Sequence, residues 1–105
     1  GEPLLRKNVC QLVKWIAETP GISEVAMTTN GHLLEKFGRT LLANGLNRLT
    51  VSIDTFDPTV FHRLTGGDLD RVLAGLADVR RRGLDQIGIK RSITAISIFF
   101  WRIRF

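Results

Sequence analysis

Two hydrophobic periods alternate along this chain, and that alternation limits the folds open to it more than any other feature. Val9, Leu12, Val13, Ile16 and Ala17 recur at helical spacing and predict an amphipathic helix over residues 7–18, ended by Pro20-Gly21. The apolar run Val25-Ala26-Met27 stops at Thr28-Thr29-Asn30-Gly31, which predicts a strand and then a turn. Leu33, Leu34, Phe37, Leu41 and Leu42 return to helical spacing, with Gly45 suited to the left-handed position that follows a helix. Leu49, Val51 and Ile53 mark a second strand ending at Asp54. Asp57-Pro58 starts a short helix over 58–64, with Asp as cap and Pro in the first turn. Gly66-Gly67 breaks it, and Asp68 caps the next helix, in which Leu69, Val72, Leu73, Leu76 and Val79 are expected to form one apolar stripe. Gly83 closes that helix, and residues 86–93 read as a third strand. Strands that alternate with helices pair in parallel through right-handed crossovers. The expected fold class is α/β, a slice of a (β/α) barrel or of an open doubly wound sheet.

At 105 residues the chain is at most one ordinary domain, and 44% hydrophobic with 24% charged residues reads as globular and argues against disorder. A net charge of +5 brings nucleic acid or an anionic membrane into consideration. The charge is uneven, however. Residues 1–85 hold eleven basic and ten acidic residues, a net +1, whereas residues 86–105 hold Lys90, Arg91, Arg102 and Arg104 with no acid. That second segment also carries Phe99, Phe100, Trp101 and Phe105, a composition shift that marks the clearest internal boundary; the expected division is residues 1–90 and a divergent basic, aromatic tail, 91–105. One cysteine excludes an internal disulfide framework and any metal site needing several thiolates from this chain alone. No apolar run reaches the roughly 18–20 residues of a membrane span, and no secretory signal pattern opens the chain, so the expected compartment is the cytoplasm. The opening Gly1-Glu2-Pro3 lacks a Met and reads as that of a fragment or processed product.

In parallel α/β folds, ligands bind at the carboxyl ends of the strands. Thr28-Thr29-Asn30-Gly31, Ser52 with Asp54, and Lys90 all fall at such ends, and the Gly1-Glu2-Pro3 turn would follow a further strand. Each has a plainer reading. Glu2 suits a helix start, the threonines suit turn and cap chemistry, and Ser52 suits a satisfied buried hydroxyl. Gly66-Gly67-Asp68 is too short for a dinucleotide fingerprint or a P-loop. Arg80-Arg81-Arg82 ends a helix and reads as solvated charge complementing the helix dipole, without the interleaved aromatics of a single-strand binding groove. His32 and His62 lie far apart with no metal-ligand spacing and read as surface or cap residues. Cys10 reads as a small packed residue on its helix. No residue is singled out as catalytic or as a metal ligand.

The order and intervals are more specific than any one signal. Gly1-Glu2-Pro3-Leu4-Leu5-Arg6, Thr28-Thr29-Asn30-Gly31, Val51-Ser52-Ile53-Asp54 and Leu64-Thr65-Gly66-Gly67-Asp68 with Arg71-Val72-Leu73-Ala74-Gly75-Leu76 resemble the radical S-adenosylmethionine (SAM) enzymes. Within them they resemble the MoaA family, the GTP 3′,8-cyclases of molybdenum cofactor biosynthesis, over about residues 1–90. The resemblance implies a partial (β/α) barrel, a [4Fe–4S] cluster on a Cys-x3-Cys-x2-Cys motif, SAM as cofactor and GTP as substrate. It implies SAM contacts at Gly1, Glu2 and Ser52 and substrate-side positions at Thr28 and Lys90, with an alternative register placing Gly88 at the lysine position. The cluster cysteines of the family are absent, and the pattern stops after Lys90. Residues 92–105 read as an unrelated reading-frame product or an accidental end.

The expected function is therefore that of a central piece of a radical SAM GTP 3′,8-cyclase, inactive by itself. Another radical SAM enzyme is the alternative within the enzyme class. A non-enzymatic basic module binding nucleic acid or a partner is the alternative outside it, and nucleic acid and membrane are not the expected partners. A slice of barrel leaves sheet edges open, so the chain is expected to self-associate.

Overall fold

A computed structural model describes residues 2–91 and 99–103. A single 3₁₀ turn, Pro3–Leu5, leads to α1 (Val9–Glu18), β1 (Ile22–Thr29), α2 (Leu34–Ala43), β2 (Arg48–Ser52), α3 (Pro58–Thr65), α4 (Leu69–Arg81), β3 (Ile87–Lys90) and β4 (Phe99–Ile103). The strands form one sheet in the order β3-β2-β1-β4. β1, β2 and β3 are parallel, with Met27 opposite Leu49 and Leu49 opposite Ile87. The expected α/β architecture is thus present in these three strands and their crossover helices. β4 departs from the all-parallel expectation, because it runs antiparallel to β1 with Phe99 opposite Met27 and Trp101 opposite Val25. It takes the edge of β1 opposite β2.

Local chemistry sets the boundaries. The first helix begins at Val9, not residue 7, because Asn8 adopts a left-handed conformation, φ 63°. Asp57 caps α3 by accepting from the backbone N–H of Thr59 (2.9 Å) and Val60 (3.1 Å). Asp68 caps α4 by accepting from Asp70 N–H (2.9 Å). At the far end of α4, Asp78 pairs with Arg82 (2.9 Å) and Arg81 (3.3 Å), and the Arg82 hydrogen bond chiefly holds its carboxyl below the usual carboxylate range. Two asparagines tie elements together. Asn47 brackets Val25, its N–H donating to Val25 O (2.9 Å) and its Oδ1 accepting from Val25 N–H (2.8 Å). Asn44 Nδ2 donates to Cys10 O (2.8 Å) and joins the end of α2 to α1.

The core lies between one face of the sheet and the helices. Val25, Met27, Leu49 and Val51 supply the sheet side, and Val13, Leu34, Leu41 and Val72 the helix side, all at most 1% exposed. The stripe expected on α4 is corrected in one place. Leu69, Val72, Gly75 and Val79 are buried, whereas Leu73 is 37% exposed. The reason is that α4 crosses α2 at glycines, which turns the buried line through Gly75 and leaves Leu73 on the flank. A Cβ on Gly75 would lie 2.7 Å from Leu34 Cβ and 3.1 Å from the Glu35 backbone nitrogen. A Cβ on Gly38 would meet only Val79 Cγ1, at 2.5 Å.

These two glycines should respond differently to alanine. Alanine normally favours a helix interior over glycine by about 1 kcal/mol. At Gly75 the new methyl meets backbone, so we expect Gly75→Ala to lower the urea midpoint, with a loss of about 1–3 kcal/mol from overpacking. Gly38→Ala should cost less, because a single side chain can move aside.

Candidate functional site

Because β1–β3 are parallel and in register, alternate residues line one face. Leu49 and Val51 face the helices, so Arg48, Thr50 and Ser52 take the opposite face of β2. Thr28 lies beside Thr50, and Ser52 lies beside Lys90. The sheet therefore brings three sequence-derived candidates, Thr28, Ser52 and Lys90, to one face at the carboxyl end. Thr28 is buried, Ser52 half-buried and Lys90 exposed. Gly1 lies outside the described residues. Thr50 and the ion pair Glu24–Arg48 (2.8 Å) share that face and were not singled out by sequence reasoning. Strict alternation within Arg48–Ser52 was the signal available for Thr50.

Glu2 is the organising side chain at this end. Its Oε2 accepts from Leu4 N–H (2.9 Å) and from the Thr29 hydroxyl (2.7 Å), and its Oε1 accepts from Asn30 N–H (2.6 Å). One carboxylate thus caps the 3₁₀ turn and fastens it to the end of β1. Thr29 Oγ1 in turn accepts from Gly31 N–H (3.1 Å), and Asn30 Oδ1 accepts from His32 N–H (3.1 Å). Gly31 has φ 83°, and a Cβ there would lie 2.8 Å from Val72 Cγ1 and 3.0 Å from Val51 Cγ1. Backbone conformation and close approach both require glycine in this turn.

Clefts lined by described residues open around the rim. Glu2, Leu5, Asn30, His32, Thr65 and Gly67 contribute to one of about 360 Å³. Next to it, His32, His62, Gly67, Asp68 and Arg71 contribute to one of about 490 Å³. Lys90 and Arg91 line a third, of about 440 Å³, with Asp54, Phe56 and Ile89. The reading of His32 as a surface residue is corrected here. It is half-buried, its ring centroid is 5.6 Å from that of Phe61, and its Nε2 is buried with no hydrogen-bond partner. The fold also brings His32 and His62 to one cleft despite their separation in sequence, and His62 Nδ1 lies 3.1 Å from Gly67 O. Sequence spacing could not show this, because the α3–α4 loop creates the juxtaposition. Among the described residues no group of three or more His, Cys, Asp or Glu could hold a metal. Cys10 is partly buried, and desolvation pushes its thiol up. No helix among the described residues is long and apolar enough to cross a membrane.

Two measurements check this geometry. Glu2→Ala leaves the Leu4 and Asn30 N–H groups without their acceptor and should speed amide exchange at both, with a stability loss of about 1–3 kcal/mol. Cys10 should react with a thiol reagent more slowly in the folded chain than after unfolding in urea, because burial disfavours the thiolate.

Known proteins similar to this chain identify its family. The family model described as the Radical SAM superfamily matches residues 1–98. A GTP 3′,8-cyclase of Alkaliphilus metalliredigens (strain QYMF) is 44% identical over 88 residues, covering 83% of this chain and 28% of the relative. One from Xanthomonas campestris pv. campestris (strain B100) is 44% identical over 91 residues, 85% of this chain and 27% of the relative. Another, from Acidothermus cellulolyticus (strain ATCC 43068 / DSM 8971 / 11B), is 43% identical over 95 residues, 89% of this chain and 26% of the relative. The chain spans little more than a quarter of the length of these curated relatives. A family match over residues 1–98, on a three-strand parallel sheet with its polar groups at one rim, makes this chain a member of the radical SAM superfamily.

Proposed function

We propose that the chain is a section of a GTP 3′,8-cyclase acting in molybdenum cofactor biosynthesis, supplying cofactor and substrate contacts without completing the catalytic centre. The observation that carries this reading is the shared face of Thr28, Ser52 and Lys90 beside the turn fastened by Glu2. The chemistry of that rim suits SAM. Gly1, the Glu2 turn and Ser52 would hold it, and when bound it supplies the radical that removes hydrogen from the ribose of GTP. The Glu2 carboxylate is already engaged by three donors, so its part is to hold the turn's backbone in position, not to grip the cofactor directly. Thr28 and Lys90 would meet GTP. Lys90 brings an ammonium to a rim cleft, where it opposes triphosphate charge without needing a fixed bidentate geometry.

An iron–sulfur cluster does not fit the residues present. A [4Fe–4S] centre takes several thiolates, whereas the chain has one cysteine, partly buried on α1 with its thiol pushed up. The chain by itself is therefore a binding element and not a complete enzyme. Residues 1–90 form the barrel section in this proposal, with 91–105 a separate tail.

Supplied anaerobically with iron, sulfide, a reductant, SAM and GTP, the chain should form no cluster absorption band and no 5′-deoxyadenosine. Either product would overturn the incomplete-centre reading. In equilibrium binding, Lys90→Ala should weaken GTP about tenfold with little effect on SAM, and Ser52→Ala should do the reverse. Unchanged binding of both ligands by both variants would overturn the assignment of the rim.

A further inference from the structure

The ring of His32 decides which residue can stand at position 67. A Cβ on Gly67 would overlap His32 Nε2 and lie 2.5 Å from Cδ2 and 3.0 Å from Cε1, its three nearest atoms. The backbone there makes no such demand, because Gly67 is not among the glycines with positive φ. Close approach alone calls for glycine. The ring cannot yield freely, since its centroid is 5.6 Å from that of Phe61, the buried side chain of α3. Its Nε2 is buried without a hydrogen-bond partner, so at this position the ring acts by shape. Two sets of bonds fix what lies on either side of it. His32 N–H donates to Asn30 Oδ1 (3.1 Å), and Asn30 N–H donates to Glu2 (2.6 Å), which holds the base of the ring on the rim turn. Gly67 N–H donates to the Thr65 hydroxyl (3.0 Å), which donates to Phe61 O (2.9 Å), and Gly67 O accepts from His62 Nδ1 (3.1 Å). Gly67 is thereby fastened to α3.

We propose that His32 is a positioning residue, a wedge carried by the β1 turn that holds α3 in place by bearing on Gly67 and Phe61. His32 and Gly67 line both the cleft of about 360 Å³ and the cleft of about 490 Å³, so the wedge sets the width of each. The two residues are a matched pair. The imidazole can stand there because position 67 has no side chain, and α3 is held because the imidazole fills that space. A methyl at position 67 must either drive the ring off Phe61 or push the end of α3 away from the turn. Both outcomes release α3. The role does not depend on which ligand the rim takes. It predicts that substitutions at the two positions are coupled through a change of sign. With the ring present, alanine at 67 collides. With the ring gone, alanine fits the backbone and restricts the unfolded chain, which favours the fold.

The test is a double-mutant cycle on the 105-residue chain with Gly67→Ala, His32→Ala and the two together. His32→Ala keeps the backbone bond to Asn30 and should leave the chain folded. Gly67→Ala should lower the urea midpoint of the wild type but not that of the His32→Ala chain. The amides of Phe61 and Gly66 bond to Asp57 O and His62 O, both at 2.8 Å, and report on α3. In each single variant they should exchange about tenfold faster relative to Leu46 N–H, which bonds to Leu41 O in the frame. The double variant should exchange no faster than His32→Ala. The ring protons of His32, identified by their loss in His32→Ala, are shifted by the Phe61 ring in the wild type. In folded Gly67→Ala they should move toward the positions of a free imidazole, which a general loss of stability would not produce. Equal destabilisation by Gly67→Ala with and without His32, or α3 exchange unchanged in both single variants, would overturn the proposal. Where Gly67→Ala alone does not fold, recovery of a folded chain in the double variant supports the wedge, and failure to recover overturns it.

Discussion

Parallel strands impose a routing problem that shapes everything else in this chain. After each strand the backbone must return the length of the sheet before it can pair again, and a helix is the means of return. α2 makes that return between β1 and β2, and α3 with α4 make it between β2 and β3. The core helices dress the same face of the sheet, so Val25, Met27, Leu49 and Val51 can be wholly apolar. The other face is then free to carry Glu24, Thr28, Arg48, Thr50, Ser52 and Lys90. Its polar character is a by-product of where the crossovers run, and so is the collection of turns at the carboxyl rim.

Much of this was legible because it rests on period and punctuation. The helical spacing of Leu34, Phe37 and Leu41 and the Asp-Pro pair at Asp57-Pro58 report their own elements. The rim positions Thr28, Ser52 and Lys90 followed from topology, since strand ends in a parallel sheet converge whatever their sequence separation. Other features depend on who the neighbour is. Leu73 fits the helical stripe as well as Leu69 does, and only the crossing of α2 and α4 at small residues puts it outside the core. His32 looks like a turn residue until Gly67 and Phe61 are placed against it. Asn47 carries no periodic signal, because its side chain substitutes for a strand neighbour that the sequence does not announce.

Glu2 lies between these cases. A carboxylate near a helix start is expected on electrostatic grounds. Nothing local indicates that the same group would also take the Thr29 hydroxyl and the Asn30 amide from a strand more than twenty-five residues away. The result is an anion held by three donors, whose charge serves the architecture. That distinguishes a residue found at a binding rim from one that meets a ligand there. The tail poses the opposite problem. Its aromatic residues looked foreign by composition, yet residues 99–103 form a strand that pairs with β1.

The crossing of α2 and α4 has a mechanical consequence. Gly38 packs against Val79 and Gly75 against Leu34 and the Glu35 backbone, so neither helix can slide along the other without driving a side chain into main chain. Gly31, wedged between Val51 and Val72, ties the β1 turn into the same block. α3 is attached differently, joined to α4 through Gly66, at φ 73° with open space around it, and Gly67, which rests on His32 and His62. Movement of α3 against this stiff frame, with the glycine pair as its pivot, therefore widens both clefts that share Gly66 and Gly67.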